Sequence, residues 1–239
     1  MINGKIENPI NIESGSLLEV LKNFYEENLI RAGILTSKIN LDIEDIENFG
    51  RIRFTFSHKE QVGKYQYGIM FEFLKTILSP LIFPGYIAIR TNIDDDKETG
   101  VDEFLIKIEN REVVLYINDK AYHEGTTRVD NPHFGSKEFL AHPFIGQNNR
   151  VGFRKERVEI NNKNFSFLYC SHRDIIYTYK RILNSRNINS SIAAILNFLN
   201  ALKNENRKDT NLNSLFPIQY TKDEIKRALI PEQNKSPFT

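Results

Sequence analysis

Residues 85–120 read GYIAIRTNIDDDKETGVDEFLIKIENREVVLYINDK. Three apolar runs with strand character stand out, Tyr86–Ile93, Asp102–Ile108 and Glu112–Ile117. The acidic stretch Asp94–Gly100 separates the first two and Glu109-Asn110-Arg111 the last two, so a meander of strands is predicted. If Ile108 faces Glu112 across that three-residue loop, with Asn110 at the left-handed position, Ile106 meets Val114, Phe104 meets Tyr116 and Asp102 meets Asn118. Side chains alternate along a strand with period two, so all of these share one face and Lys120 follows on it. Asp102, Asn118 and Lys120 are thereby predicted to gather at one end of a hairpin.

Working outward, residues 16–30 carry Leu17, Val20, Leu21 and Phe24 at helical spacing, with Ser16 and Glu19 as a capping box and Gly33 as the stop. Residues 51–57 alternate as a strand, and a helix over 61–78 is predicted to end at Pro80 and Pro84. Beyond the hairpin, residues 121–150 are rich in Gly, Pro, His and Asn and read as a long loop. Strands at 157–160 and 165–170 and helices at 174–183, 191–203 and 222–229 complete the chain. The class is α+β, or mixed α/β. Three segments are expected: a helical one over 1–50, an α/β core over 51–175 containing the loop, and a basic helical region over 176–239.

The 239 residues are 40% hydrophobic and 26% charged, which fits an ordinary soluble globular chain. One cysteine, Cys170, excludes a disulfide framework and a four-cysteine zinc site. No apolar run is long enough to span a bilayer, and residues 1–9 contain no apolar core of a signal peptide, so a cytoplasmic protein is expected. The net charge of +1 conceals a division. Residues 1–149 hold 16 Lys and Arg against 23 Asp and Glu, whereas residues 150–239 hold 16 against 8. A basic C-terminal third suits nucleic-acid phosphates, which release counterions to Lys and Arg. Equally, the two charge blocks suit one another or a partner subunit.

Carboxylates beside a lysine suit metal-assisted phosphodiester hydrolysis. Hard oxygen ligands hold Mg²⁺, the metal lowers the pKa of a bound water, and the ammonium stabilises charge on the phosphate. Asp102 and Lys120 supply such a pair, and Glu72, on the preceding helix, is expected to pack over the same face.

The run of Phe71-Glu72, Gly85-Tyr86, Gly100-Val101-Asp102 and an apolar strand ending in Asn118-Asp119-Lys120 resembles the PD-(D/E)xK nucleases. Within them it is most similar to Mrr-type restriction endonucleases, over about 50 residues. The resemblance implies a restriction-endonuclease-like core of a helix plus a strand meander, with DNA as substrate, Mg²⁺ or Mn²⁺ as cofactor, and a place in restriction or phage defence. It makes Glu72 and Asp102 the metal-side carboxylates, Lys120 the catalytic lysine, and Asn118 the occupant of the Gln or Glu position. Asparagine is shorter and uncharged, so it reaches a metal only through its amide oxygen. Either the site works with Asp102, Glu72 and a backbone carbonyl, or it is degenerate. A one-residue register shift would offer Asp119 to the metal instead, at the cost of its spacing to Lys120. The alternative expectation is therefore a non-catalytic, nuclease-derived subunit that binds nucleic acid or a partner protein.

The remaining signals are weak. His58, His123, His133, His142 and His172 match no zinc-finger or knuckle spacing and are expected to cap turns. Cys170 and His172 lack a third orienting group for nucleophilic catalysis, so Cys170 is expected to be buried. Arg128 and His133 fit an R-x4-H string but are interrupted by Asn131-Pro132, and Asp94–Asp96 reads as a solvated turn. The helix at 191–203 is apolar on more than one side, as a core helix or the docking face of a homodimer or partner would be.

Overall fold

The computed structural model describes residues 17–35, 62–91, 99–123, 135–145, 151–184 and 187–229. The expected strand at 51–57, the acidic turn Asp94–Asp96, the Arg128–His133 string and His58 lie outside these residues. In chain order the elements are α1 (Leu17–Arg31), α2 (Val62–Ile82), β1 (Tyr86–Arg90), β2 (Glu103–Lys107), β3 (Val113–Tyr122), β4 (Gly135–Ile145), β5 (Val151–Ile160) and β6 (Phe165–Ser171). Helices α3 (His172–Asn184), α4 (Ile188–Glu205), α5 (Thr210–Leu215) and α6 (Lys222–Leu229) follow. The fold is α+β. A four-stranded sheet runs β1-β2-β3-β6; the first three strands form an antiparallel meander and β6 lies parallel to β3. A separate antiparallel pair, β4–β5, is inserted between β3 and β6.

Residues 121–150 are thus not one long loop. β3 runs on to Tyr122 and β4 occupies Gly135–Ile145. Gly, Pro and His blur the alternation of residues 135–145, and the ladder comes from a partner strand beyond the next turn. Pro143 is tolerated because a strand of a two-stranded ribbon has a free edge.

The helix expected to stop at Pro80 continues to Ile82. Proline lacks the N–H that would bond the carbonyl four residues back. Here the Ser79 hydroxyl donates to that carbonyl, of Thr76, at 2.8 Å, so the gap in the helix is filled locally. The same hydroxyl accepts the Ala88 N–H at 3.0 Å, tying the helix end to β1.

The hairpin keeps the expected pairing of Phe104 with Tyr116, but the ladder slips by one residue between Leu105 and Ile106, and Ile106 meets Val113. The left-handed residue is Arg111 (φ 62°), not Asn110. Asn110 instead accepts the Glu112 N–H at 3.2 Å through its side chain, an Asx-type turn. Arg111 then lies over Gly33 so closely that a Cβ there would sit 2.2 Å from its Nη2, and Gly33 itself has φ 64°. The positive φ favours glycine at that helix end, and a larger residue there would displace the Arg111 guanidinium.

Side chains engage backbone groups on both edges of the sheet. On β1 the outward groups of Ala88 are met by Ser79 and by the Tyr25 hydroxyl, which donates to the Ala88 carbonyl at 3.0 Å. On β6 the Asn206 amide behaves as a further strand: its Oδ1 accepts the Tyr169 N–H and its Nδ2 donates to the Tyr169 carbonyl, each at 2.9 Å. Unpaired edge groups invite pairing with other chains, and these hydrogen bonds occupy the backbone groups of Ala88 and Tyr169.

One core runs through the molecule, from Leu21 of α1, through Phe71 and Ile77 of α2 and Ile117 of β3, to Phe198 and Leu202 of α4. Cys170 is buried in it, and burial pushes its thiol pKa up. Seven residues of α4, Ser191 to Leu202, are buried within the chain, so its wide apolar face is core. The short helix α5, too brief to show a periodicity, starts on Asp209, whose carboxylate accepts from Leu212 N–H and from the Ser166 hydroxyl. Among the described residues no helix is long and apolar enough to cross a membrane.

Replacing Asn206 by Ala strands two backbone groups of Tyr169 and is expected to cost roughly 2–3 kcal/mol of stability, measured by urea unfolding. Asn206→Asp loses the donor half of the clamp and should also destabilise. An unchanged midpoint for both variants would show that the β6 edge does not need the clamp.

Candidate functional site

The sheet presents two faces of different chemistry, and neighbouring residues are sorted between them. Arg90, Glu103 and Ile117 are aligned across β1, β2 and β3, so they share a face, and Asp119 follows Ile117 on it. This face receives α2, which brings Glu72, Lys75 and Thr76. Lys75 Nζ lies 3.0 Å from Asp119 Oδ1 and forms a second ion pair with Glu103, while Arg90 pairs with Glu72. The side chains of Lys75 and Glu103 are fully buried and that of Asp119 is 1% exposed, so the triad is cut off from water.

Charge balance decides the protonation of this cluster. One ammonium serves two carboxylates, and burying both ionised is costly. Lys75 is held protonated by Asp119 and Glu103 against its own burial. Burial pushes the Glu103 pKa up to about 7, only partly offset by Lys75. Thr76 Oγ1 donates to the Glu72 carbonyl at 2.7 Å and is also placed to donate to Glu103 Oε1 at 3.1 Å.

The opposite face carries Asp102, Phe104, Tyr116, Asn118 and Lys120. Asp102 stands just before β2 and donates its N–H to the Ile117 carbonyl at 2.8 Å. Its Oδ2 accepts the next free amide of β3, that of Asp119, at 2.6 Å, so the carboxylate prolongs the ladder where the backbone leaves it. Asn118 donates its amide to the Gly100 carbonyl, and its Oδ1 is buried with no hydrogen-bond partner among the described residues. Lys120 Nζ lies 5.6 Å from the centre of the Phe167 ring, on the neighbouring strand β6.

The structure therefore brings Asp102, Asn118 and Lys120 to one face, as period two predicts. Glu72 does not pack over it: Glu72 and Asp119 are on the helix-covered face, each against a buried cation. The three residues named for the metal, Asp102, Glu72 and Asp119, do not converge, and the described residues hold no cluster of three His, Cys, Asp or Glu suited to a metal ion. As they stand they do not fit a Mg²⁺ ion, which needs several oxygens around one point.

Sequence reasoning missed Lys75, Arg90 and Glu103. Signals for two of them exist. Lys75 sits four residues after Phe71 and three before Leu78, within the apolar stripe of α2. Asp102 and Glu103 are consecutive in a strand, so one of them must face the core. Comparison with protein-family models, with curated proteins and with solved structures returns no match to this chain.

The raised Glu103 pKa has a definite sign. Between the ordinary value of 4.5 and about 7 the folded protein holds a proton that the unfolded chain has released, so stability falls as pH rises through this window. A loss on the order of 1–3 kcal/mol between pH 5 and 8 is expected from this group in urea unfolding. Glu103→Gln, which is neutral throughout, should flatten that profile; an unaltered slope would assign it to other groups.

Proposed function

We propose that this chain binds nucleic acid without cleaving it, as a subunit derived from a nuclease-like scaffold. One observation carries the reading: each carboxylate that the sequence offers to a metal is engaged inside the fold, Glu72 by Arg90, Asp119 by Lys75, and Asp102 by a backbone amide. The order of the elements, a helix bearing Glu72 followed by three strands, supports a scaffold of that kind.

Support for nucleic acid as the partner comes from α3. Ile175, Thr178 and Ile182 bury one side of this helix, and Arg173, Tyr177, Lys180 and Arg181 stand exposed along the other. Their spacing of four, three and one places them on one stripe. The Arg181 guanidinium lies 5.5 Å from the Tyr177 ring centre, and Tyr177 is 45% exposed. Cations interleaved with an exposed aromatic ring suit phosphates and a stacked base. We place such a subunit in the cytoplasm, beside its nucleic acid.

A second reading, a Mg²⁺- or Mn²⁺-dependent DNA endonuclease acting in restriction or phage defence, is favoured by Asn118 Oδ1, which has no hydrogen-bond partner among the described residues and shares a face with Asp102 and Lys120.

Plasmid DNA incubated with Mg²⁺ or Mn²⁺ separates the two. The wild-type chain is expected to leave plasmid intact while binding duplex with an affinity that falls as salt rises. Changing Arg173, Lys180 and Arg181 together to Glu should weaken binding of all sequences alike and reduce the salt slope by about 0.9 for each phosphate that is no longer neutralised. Nicking that disappears in Asp102→Ala would replace this reading by the endonuclease. Absence of any binding at low salt would replace nucleic acid by a protein partner.

A further inference from the structure

Helix α3 sets out its outward groups as rings and cations in turn. The parallel register of β3 and β6 puts Tyr122 level with Ser171, so the next residues, His123 and His172, are neighbours at the start of the helix. The His172 ring stacks on Tyr67 of α2 at 4.2 Å, and the exposed His123 stands edge-on to it. Arg173 follows with its side chain 71% exposed, then Tyr177, then Lys180 and Arg181. Four residues advance an α-helix by about 6 Å, so Arg173, Tyr177 and Arg181 lie on one line along α3. The Arg181 guanidinium sits 5.5 Å from the Tyr177 ring centre. Asp174, the acid of α3, is turned back to the Ser171 hydroxyl at 2.8 Å and comes no nearer than 3.7 Å to Arg173.

We propose that this stripe selects single-stranded nucleic acid over duplex, with Tyr177 as the ring on which an unpaired base stacks; the inference rests on the nucleic-acid reading above and names the strand state it serves. In a duplex each base is stacked between its neighbours and offers only its edges in the grooves, so a ring standing on a helix surface has no base face to meet. On duplex the stripe acts through its charges alone. A single strand offers base faces beside its phosphates, and stacking tolerates any sequence because every base has such a face. Ile175, Thr178 and Ile182 anchor α3 from its buried side, and Arg181 packs on the Tyr177 ring, so the ring is positioned before the strand arrives. A strand lying along α3 meets His123, Arg173, Tyr177 and Arg181 in that order. Faces and charges do not read the 2′-hydroxyl, so single-stranded DNA and RNA share the chemistry recognised here.

Fluorescence anisotropy of the full chain with labelled oligo(dT), oligo(U) and the dT strand annealed to its complement tests this. Single strand is expected to bind at least about fivefold more tightly than duplex, the lower end of what stacking one base on an aromatic side chain provides. Tighter binding of oligo(U) or of oligo(dT) identifies RNA or DNA as the strand, and either supports the proposal. Tyr177→Ala should abolish the preference, lowering single-strand affinity by at least about fivefold while the salt slope and the duplex affinity stay at wild type, since no charge is lost. The retained duplex affinity also shows that this variant is folded. Tyr177→Phe keeps the ring and should bind as wild type. Duplex bound as tightly as single strand, or undiminished single-strand affinity in Tyr177→Ala, would overturn the proposal while leaving the nucleic-acid reading in place. Absence of binding to all three at low salt would overturn both.

Discussion

The ammonium of Lys75, buried between Glu103 and Asp119, constrains how the rest of the chain is arranged. A charge taken fully out of water is tolerated only where partners meet it closely. Lys75 comes from α2, Glu103 from β2 and Asp119 from β3, so satisfying it fixes the helix against two strands in rotation and in height. Glu72 and Arg90 add a second pair between α2 and β1. Buried ion pairs are weak contributors to net stability, because desolvation offsets most of the attraction, but removing one member leaves uncompensated charge.

This arrangement sorts the acidic residues. Asp102 and Glu103 are neighbours, as are Asn118 and Asp119, and alternation sends one of each pair to each face. With Glu103 and Asp119 drawn to Lys75, Asp102 and Asn118 must face the other way, toward Lys120 and Phe167. Asp102 then reaches back to the Asp119 amide, so both sides of β3 are held by carboxylates at the same level. The orientation of the inner cluster and the geometry of the outer trio are one fact seen from two sides.

Local signals in the sequence account for most of the elements. Helices α1, α3, α4 and α6 have apolar stripes at helical spacing, and α1 and α6 have Ser/Thr-x-x-Glu capping signals; in α6 the Thr221 and Glu224 side chains and backbone amides bond reciprocally. Period two correctly gathers Asp102, Asn118 and Lys120. What it does not give is the rotation of α2 about its own axis, a tertiary property, and so the expectation for Glu72 falls on the wrong face. Pro80 misleads because the rescuing hydroxyl of Ser79 is a matter of rotamer rather than composition. The β4–β5 ribbon is hidden because its ladder, not its residue preferences, holds it straight. The adjacency of His123 and His172 is less legible still, since it needs the parallel register of strands separated by the whole ribbon.

The buried triad also bears on what chemistry the helix-covered face can host. For a divalent cation to sit between Glu103 and Asp119, the Lys75 ammonium has to leave, and its side chain is fully buried with no solvent route at its end. Withdrawing it means moving α2, the helix that also carries Phe71, Phe73, Leu74, Ile77 and Leu78 into the core. Metal binding at that point and the native packing of α2 are therefore competing states of the same groups. The lysine fills the cation position with a charge that cannot diffuse away, coordinate a water or bridge to a phosphate. It supplies the electrostatic balance that a metal would give to a pair of acids and none of its reactivity. On this face the charged groups serve the fold.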